Sequence, residues 1–230
     1  MIWFTSDLHF GHNKDFVYAR RGFDSIEEMN AGIIERYNSF VVPEDTVYIL
    51  GDCMLKDNDV GMKCLSQLCG HKFLAIGNHD SDKRIELYRD SGIFEDIRVA
   101  YRMRYGKYSL WLSHYPMMMG NYKDKHPTWN LSGHTHNPDP FENGENGIYN
   151  VAVDAHDCYP VSLEVVINQI DTYRKEHQLK IEEKAQGKDE EFKLTHCGKC
   201  LHENFCEAKN NMLLSCPGYK IDPPDGGYYG

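Results

Sequence analysis

Short apolar runs alternate with stretches of helical spacing through the first 170 residues. Ile2-Trp3-Phe4-Thr5 reads as a strand beginning almost at residue 1. Ser25-Ile26-Glu27-Glu28 has the form of a capping box and predicts an amphipathic helix to about Asn38. Thr46-Val47-Tyr48-Ile49-Leu50 is a second strand, stopped by Gly51-Asp52. Helical spacing returns from Val60 to Leu68, and Lys72-Phe73-Leu74-Ala75-Ile76 gives a third strand ending at Gly77-Asn78. This β-α-β-α-β rhythm predicts a layered α/β fold. The middle of the chain changes style. Ile97 to Met103 and Tyr108 to Leu112 flank Tyr105-Gly106-Lys107 and predict an antiparallel hairpin. Two more strand-like pieces follow, at Trp129-Asn130-Leu131 and Ile148 to Val153, and Ser162 is placed to cap a helix through Ile170. The expected class is mixed α/β (α+β), with sheets on both sides of a core.

After Asp171 the composition shifts. Residues 171–193 are rich in Lys, Glu, Gln and Asp and read as an exposed charged helix or linker. Residues 194–222 carry four cysteines, and 223–230 read as a flexible tail. Lys and Arg total 25 against 35 Asp and Glu, a net charge of -10. That balance lacks the basic footprint of a duplex-binding protein, so nucleic acid is a possible partner but not a favoured one. Bound divalent cations would reverse the local sign and make an acidic pocket attract anions. No apolar run approaches the roughly 20 residues of a membrane-spanning helix. The N-terminus lacks the basic and apolar segments of a signal peptide, so a cytoplasmic location is expected.

Polar residues able to bind metal stand just past the ends of the expected strands. Asp7-Leu8-His9 follows the first, Gly51-Asp52 the second, and Gly77-Asn78-His79-Asp80 the third. Ser113-His114 ends the second arm of the hairpin, and Gly133-His134-Thr135-His136 follows the next short strand. Ligands of layered α/β folds collect outside the carboxyl ends of strands, so five such segments in order point to one site. In a strand-like Asp7-x-His9, alternate side chains share a face and can reach one ion. His134-x-His136 has the same spacing, or else divides its rings between two ions.

This ordered set resembles the calcineurin-like metallophosphoesterases over about residues 1 to 170. The resemblance implies a four-layer arrangement, a β-sandwich flanked by helices, with a two-metal site. By position, Asp7, His9 and His136 would hold one ion and Asn78, His114 and His134 the other, with Asp52 bridging. Mixed nitrogen and oxygen donors suit Mn, Fe, Zn, Co or Ni. Two such metals, roughly 3.5–4 Å apart, clamp phosphoryl oxygens and lower the pKa of a shared water. The implied reaction is hydrolysis of a phosphomonoester or small phosphodiester by direct attack of hydroxide, on a phosphorylated small molecule or nucleotide. His79 would stabilise developing charge or protonate the leaving oxygen, and Asp80 would orient its ring. A nuclease and a non-catalytic scaffold are the alternatives, the second disfavoured because no ligand type is missing.

The chain departs from many relatives in placing Cys53-Met54-Leu55, rather than a further acid, after Gly51-Asp52. His12 would touch substrate phosphate or cap a loop, and His156 is a weaker candidate. Tyr115 to Met119 could wall the pocket, and Tyr122 or Trp129 could stack on a nucleobase. Cys197-x2-Cys200-x5-Cys206-x9-Cys216 suits a tetrahedral structural zinc, with His196 and His202 as substitutes for one thiolate and an iron–sulfur cluster or redox thiols as alternatives. Cys53, Cys64, Cys69 and Cys158 read as small buried apolar residues.

Overall fold

Which strands pair is decided by the apolar runs. In the computed structural model, which describes residues 1–177, β1 (Ile2–Thr5), β2 (Thr46–Ile49), β3 (His71–Ala75) and β4 (Asp96–Arg98) form parallel neighbours. A two-residue strand, β9 (Val161–Ser162), closes the other side antiparallel to β1, giving the order β4-β3-β2-β1-β9. The second sheet has the order β5-β6-β7-β8. Its hairpin joins β5 (Ala100–Tyr105) to β6 (Tyr108–Ser113), and β7 (Thr128–Ser132) and β8 (Ile148–Asn150) add parallel to β6. The chain divides into two compact units, 1–171 and 172–230, and the fold described here is that of the first. Cys197, Cys200, Cys206 and Cys216, with His196, His202 and the tail, lie outside the described residues.

Helices α1 (Asp15–Tyr18), α2 (Ile26–Asn38), α3 (Asn58–Leu65) and α4 (Asp82–Ser91) lie between the strands of the first sheet. A fifth helix begins at 163. The capping box forms in a shifted version: the Ser25 hydroxyl accepts from the Glu28 amide at 3.1 Å, but Glu28 reaches back to the amide of Asp24. Ser162 accepts from the Val165 amide at the start of the fifth helix.

Strand alternation assigns the two faces of the first sheet. Trp3, Val47, Ile49 and Leu74 pack with Ile26, Met29, Ile33 and Tyr37 of α2, Leu65 of α3 and Tyr88 of α4. On the opposite face Phe4, Tyr48 and Phe73 stack in a row, with centroids 6.0 and 5.3 Å apart. Tyr101 of β5 meets that row edge-on, 5.3 Å from Tyr48, and donates its hydroxyl to the Leu74 carbonyl at 3.2 Å. The two sheets therefore face each other through aromatic rings.

One expected strand divides. Residues 97 to 103 read as a single run, but the chain leaves the first sheet after Arg98 and enters the second at Ala100. Val99, exposed at the crossing, is the residue spent on the change of sheet. Alternation continues across the break, which is why the sequence pattern conceals it.

Candidate metal centre

The parallel strands of both sheets end at one edge, and their connecting loops supply the polar groups. Asp7 and His9 follow β1, Asp52 follows β2, and Asn78, His79 and Asp80 follow β3. His114 follows β6, and His134 and His136 follow β7. All these groups except Asp80 converge on a common space.

The loop geometry differs from the extended one expected of Asp7-x-His9. Asp7 (φ 57°), His9 (φ 51°), Asp52 (φ 55°), His134 (φ 72°) and His136 (φ 53°) all occupy the left-handed region. Asp and His tolerate that region better than most side chains, and β-branched residues worst. Close approach of glycines makes the turns possible. A Cβ on Gly51 would stand 2.6 Å from the His114 Nδ1, and one on Gly133 would run into Ser6 and the Asp7 carboxylate.

Two clusters result, with Asp52 between them. Asp7 Oδ2 accepts from the Ser6 hydroxyl at 2.6 Å and the His134 amide at 3.0 Å. Its Oδ1 is left 3.9 Å from His9 Nε2 and 3.6 Å from His136 Nε2. In the other cluster Asn78 Oδ1 lies 2.8 Å from His114 Nε2 and 2.9 Å from His134 Nδ1. Asp52 Oδ1 accepts from the His79 amide at 2.8 Å, and its Oδ2 stands 3.5 Å from His114 Nε2 and 3.7 Å from His9 Nε2.

The donor set fits metal cations on three grounds. Asp7 Oδ1 and both ring nitrogens of His9 are buried without a hydrogen-bond partner. Such orphaned buried groups are costly unless something else satisfies them. Ligand atoms of Asp7, His9 and His136 lie within 4.8 Å of one another, as do those of Asp7, Asp52 and His114. Finally, hydrogen bonds fix which nitrogen carries a lone pair. His114 Nδ1 donates to the Leu50 carbonyl at 2.8 Å and His136 Nδ1 to Asp154 Oδ2 at 2.7 Å, so each Nε2 points inward unprotonated in the neutral ring. Burial, aided by the Arg21 charge, pushes the His9 pKa down to about 2 and thus keeps that ring neutral. Burial and neighbouring His114 also lower His134. Burial alone would lower His136 too, but the bond to Asp154 and the charge of Asp7 outweigh it and raise the pKa.

Asp80 is a correction. Its carboxylate turns away from the His79 ring and accepts from the amides of Asp52 and Gly77, both at 2.9 Å, from Cys53 at 3.3 Å, and from the Tyr88 hydroxyl at 3.1 Å. It therefore ties the β2 and β3 loops together and fixes Asp52, rather than orienting an imidazole. The His79 ring is the partly exposed member, with Nε2 3.9 Å from Asp52 Oδ2 and its carbonyl held by Arg84.

Other expectations resolve as follows. His12 is buried beside His9, with ring centroids 5.5 Å apart, on the wall of a cleft of about 630 Å³ that also exposes His9, His79 and His136. His156 Nε2 donates to the Asn150 carbonyl at 2.9 Å, and the ring packs on Tyr149, away from the cluster. Trp129 is fully buried against Tyr122 and Phe141, so it cannot stack on a base. Tyr115 does flank the centre, 4.7 Å from the His134 ring. Cys53, Cys64 and Cys158 are buried and Cys69 half-buried, all as free thiols.

The sequence reading missed Arg21 and Asp154. Their side chains pair through two bonds of 3.0 and 2.9 Å, almost wholly buried. Arg21 also donates to the carbonyls of Asp7 and Leu8, and Asp154 holds His136, so the pair ties the loops after β1 and β7 to each other. Asp154 follows β8 and carries the same strand-end signal as the other groups.

With this geometry in place, comparison with known proteins gives the class. The sequence profile of the calcineurin-like phosphoesterases matches residues 1–197, and the chain belongs to that family. An uncharacterised protein of Methanocaldococcus jannaschii is 31 % identical over 176 residues, covering 74 % of this chain and 91 % of that one. The gene 66 protein of Mycobacterium phage L5 is 34 % identical over 164 residues, covering 59 % and 77 %. The crystal structure of a protein of unknown function from Aquifex aeolicus superposes with a TM-score of 0.58 at 25 % identity, over 74 % of this chain and 99 % of that one. Among the described residues no helix is long and apolar enough to cross a membrane.

Proposed function

We propose that this chain is a two-metal phosphoesterase that hydrolyses a phosphomonoester or a small phosphodiester. The observation that carries the reading is the position of Asp52 Oδ2 between inward-facing nitrogens of His9 and His114. Asp7, His9 and His136 would hold one divalent cation, Asn78, His114 and His134 the other, and Asp52 would bridge them; Mn, Fe, Zn, Co and Ni all suit the donors. Cations held there supply charge for the phosphoryl oxygens and acidify water near neutral pH.

The chain's own groups do the rest. Two carboxylates, Asp7 and Asp52, leave two divalent ions with a net charge of about +2, and the neutral amide of Asn78 does not reduce it. Arg21, Asp154 and Asp80 keep the ligand loops in register before substrate arrives. His79 is more open to the cleft than His9 or His136 and is placed to donate a proton to the leaving oxygen. The cysteines Cys197, Cys200, Cys206 and Cys216 are read as a separate structural zinc site, which retention of one tightly bound zinc per chain would test. Manganese-loaded protein should hydrolyse an aryl phosphate monoester or its diester, with Asp52→Asn as control. Silence on both substrates in protein that has bound two metals would refute the reading.

A further inference from the structure

The cleft over His9, His79 and His136 continues to His12, Lys14, Phe16 and Lys56, none of which is used in cleaving the ester. His12 is only 8 % exposed, yet its Nδ1 is buried without a hydrogen-bond partner. Lys14 and Lys56 line the same cleft as His12, and neither forms an ion pair among the described residues. Arg20, on the same wall, spends one hydrogen bond on the His136 carbonyl and meets no carboxylate among the described residues. A chain of net charge -10 thus places three unmatched cations around one cleft.

Their backing is firm. Phe10 donates to the Cys53 carbonyl at 3.1 Å and accepts from the Leu55 amide at 3.0 Å, so the loops carrying His12 and Lys56 are stitched edge to edge. Gly11 (φ +76°) presses on the Asp57 carbonyl, where a Cβ would stand at 2.6 Å. Lys56 itself sits at φ 75°, a conformation unusual for a long side chain. The ring of Phe16 lies edge-on to His12 with its own face largely exposed.

The scissile phosphate is already accounted for by the ligand clusters, so these cations call for another anion. The cleft, at about 630 Å³, is also larger than one phosphate requires. We propose that the extension lined by His12, Lys14 and Lys56 binds a second phosphate of the substrate. The favoured ester is then a nucleoside bisphosphate, with its base on Phe16. This inference rests on the phosphoesterase reading.

Steady-state kinetics on the manganese-loaded full chain would test it, with adenosine 3′,5′-bisphosphate, adenosine 5′-monophosphate and an aryl phosphate as substrates. The bisphosphate should exceed the monophosphate in kcat/KM by about tenfold or more, through KM, and added salt should shrink the ratio. Lys14→Gln combined with Lys56→Gln should bring the ratio close to one. His12→Ala should raise KM for the bisphosphate with little change in kcat. Equal kcat/KM for the two nucleotides in a protein that hydrolyses the aryl ester would overturn the second-phosphate site alone. A ratio that survives the double substitution would do the same. No turnover of any of the three by metal-loaded protein would instead overturn the phosphoesterase reading beneath it.

Discussion

Asp154→Asn isolates what the Arg21–Asp154 pair does. The change keeps the shape of the side chain and removes its charge. Arg21, 2 % exposed, then stays buried with two backbone carbonyls and no carboxylate. Breaking one side of a buried pair costs about 3–5 kcal/mol. For a domain of this size that is a fall in Tm of roughly 6–20 °C. Loss of the carboxylate behind His136 should also weaken metal binding about 10–100-fold. The pH dependence has a definite sign. Burial alone would raise the Asp154 pKa, but the hydrogen bonds from His136 and Arg21 hold it well below the usual carboxylate range. Its stabilisation is therefore complete above the unfolded value near pH 4 and is lost as pH falls through the folded value. Urea unfolding of parent and variant should show a gap that narrows as pH rises through the raised His136 value, because the variant lacks the bond that raises it, and that closes in strong acid as Asp154 protonates. Arg21→Met combined with Asp154→Asn should cost less than the sum of the two by at least about 1 kcal/mol. A gap under about 1 kcal/mol at pH 7, or additive single costs, would refute the account of the pair as a tie between loops.

Asp52→Asn should reduce metal content and turnover together, turnover by about two orders of magnitude or more, as read by elemental analysis beside aryl phosphate kinetics. His79→Ala should lower kcat about 10²–10⁴-fold with metal content unchanged, and loss of metal would instead place His79 among the ligands. Gly11→Ala forces a side chain into the left-handed region against the Asp57 carbonyl and should destabilise by about 1–2 kcal/mol or more in urea unfolding. Asp80→Asn should lower stability, because two of the four donors on its carboxylate are the amides that set Asp52 and Gly77, and its effect on the kcat of residual metal-loaded protein should be small beside that of His79→Ala.

Much of the fold was legible because the parallel strands are buried and read as continuous apolar runs. The capping box likewise marked α2. Helix α4 went unread because only Ile85 and Tyr88 of its ten residues are buried, too few to show a period. The break at Val99 was invisible because both sheets demand the same alternation. At the centre, short motifs located every side chain that converges, since each travels with its own strand end. Asp80 was misassigned because sequence adjacency to His79 does not reveal which way a carboxylate turns, and here three amides and a hydroxyl drew it inward. The pairing of Arg21 with Asp154, 133 residues apart in sequence, has no local signal, although Asp154 by itself stands past a strand end.

Five residues of the candidate metal centre occupy backbone conformations in which glycine would be more comfortable. Each of these positions therefore sets stability against chemistry. Replacement of Asp7, His9 or His134 by Gly would relieve backbone strain while removing a candidate metal donor. The left-handed backbone thus holds these donor groups at a cost in folding that glycine would not carry.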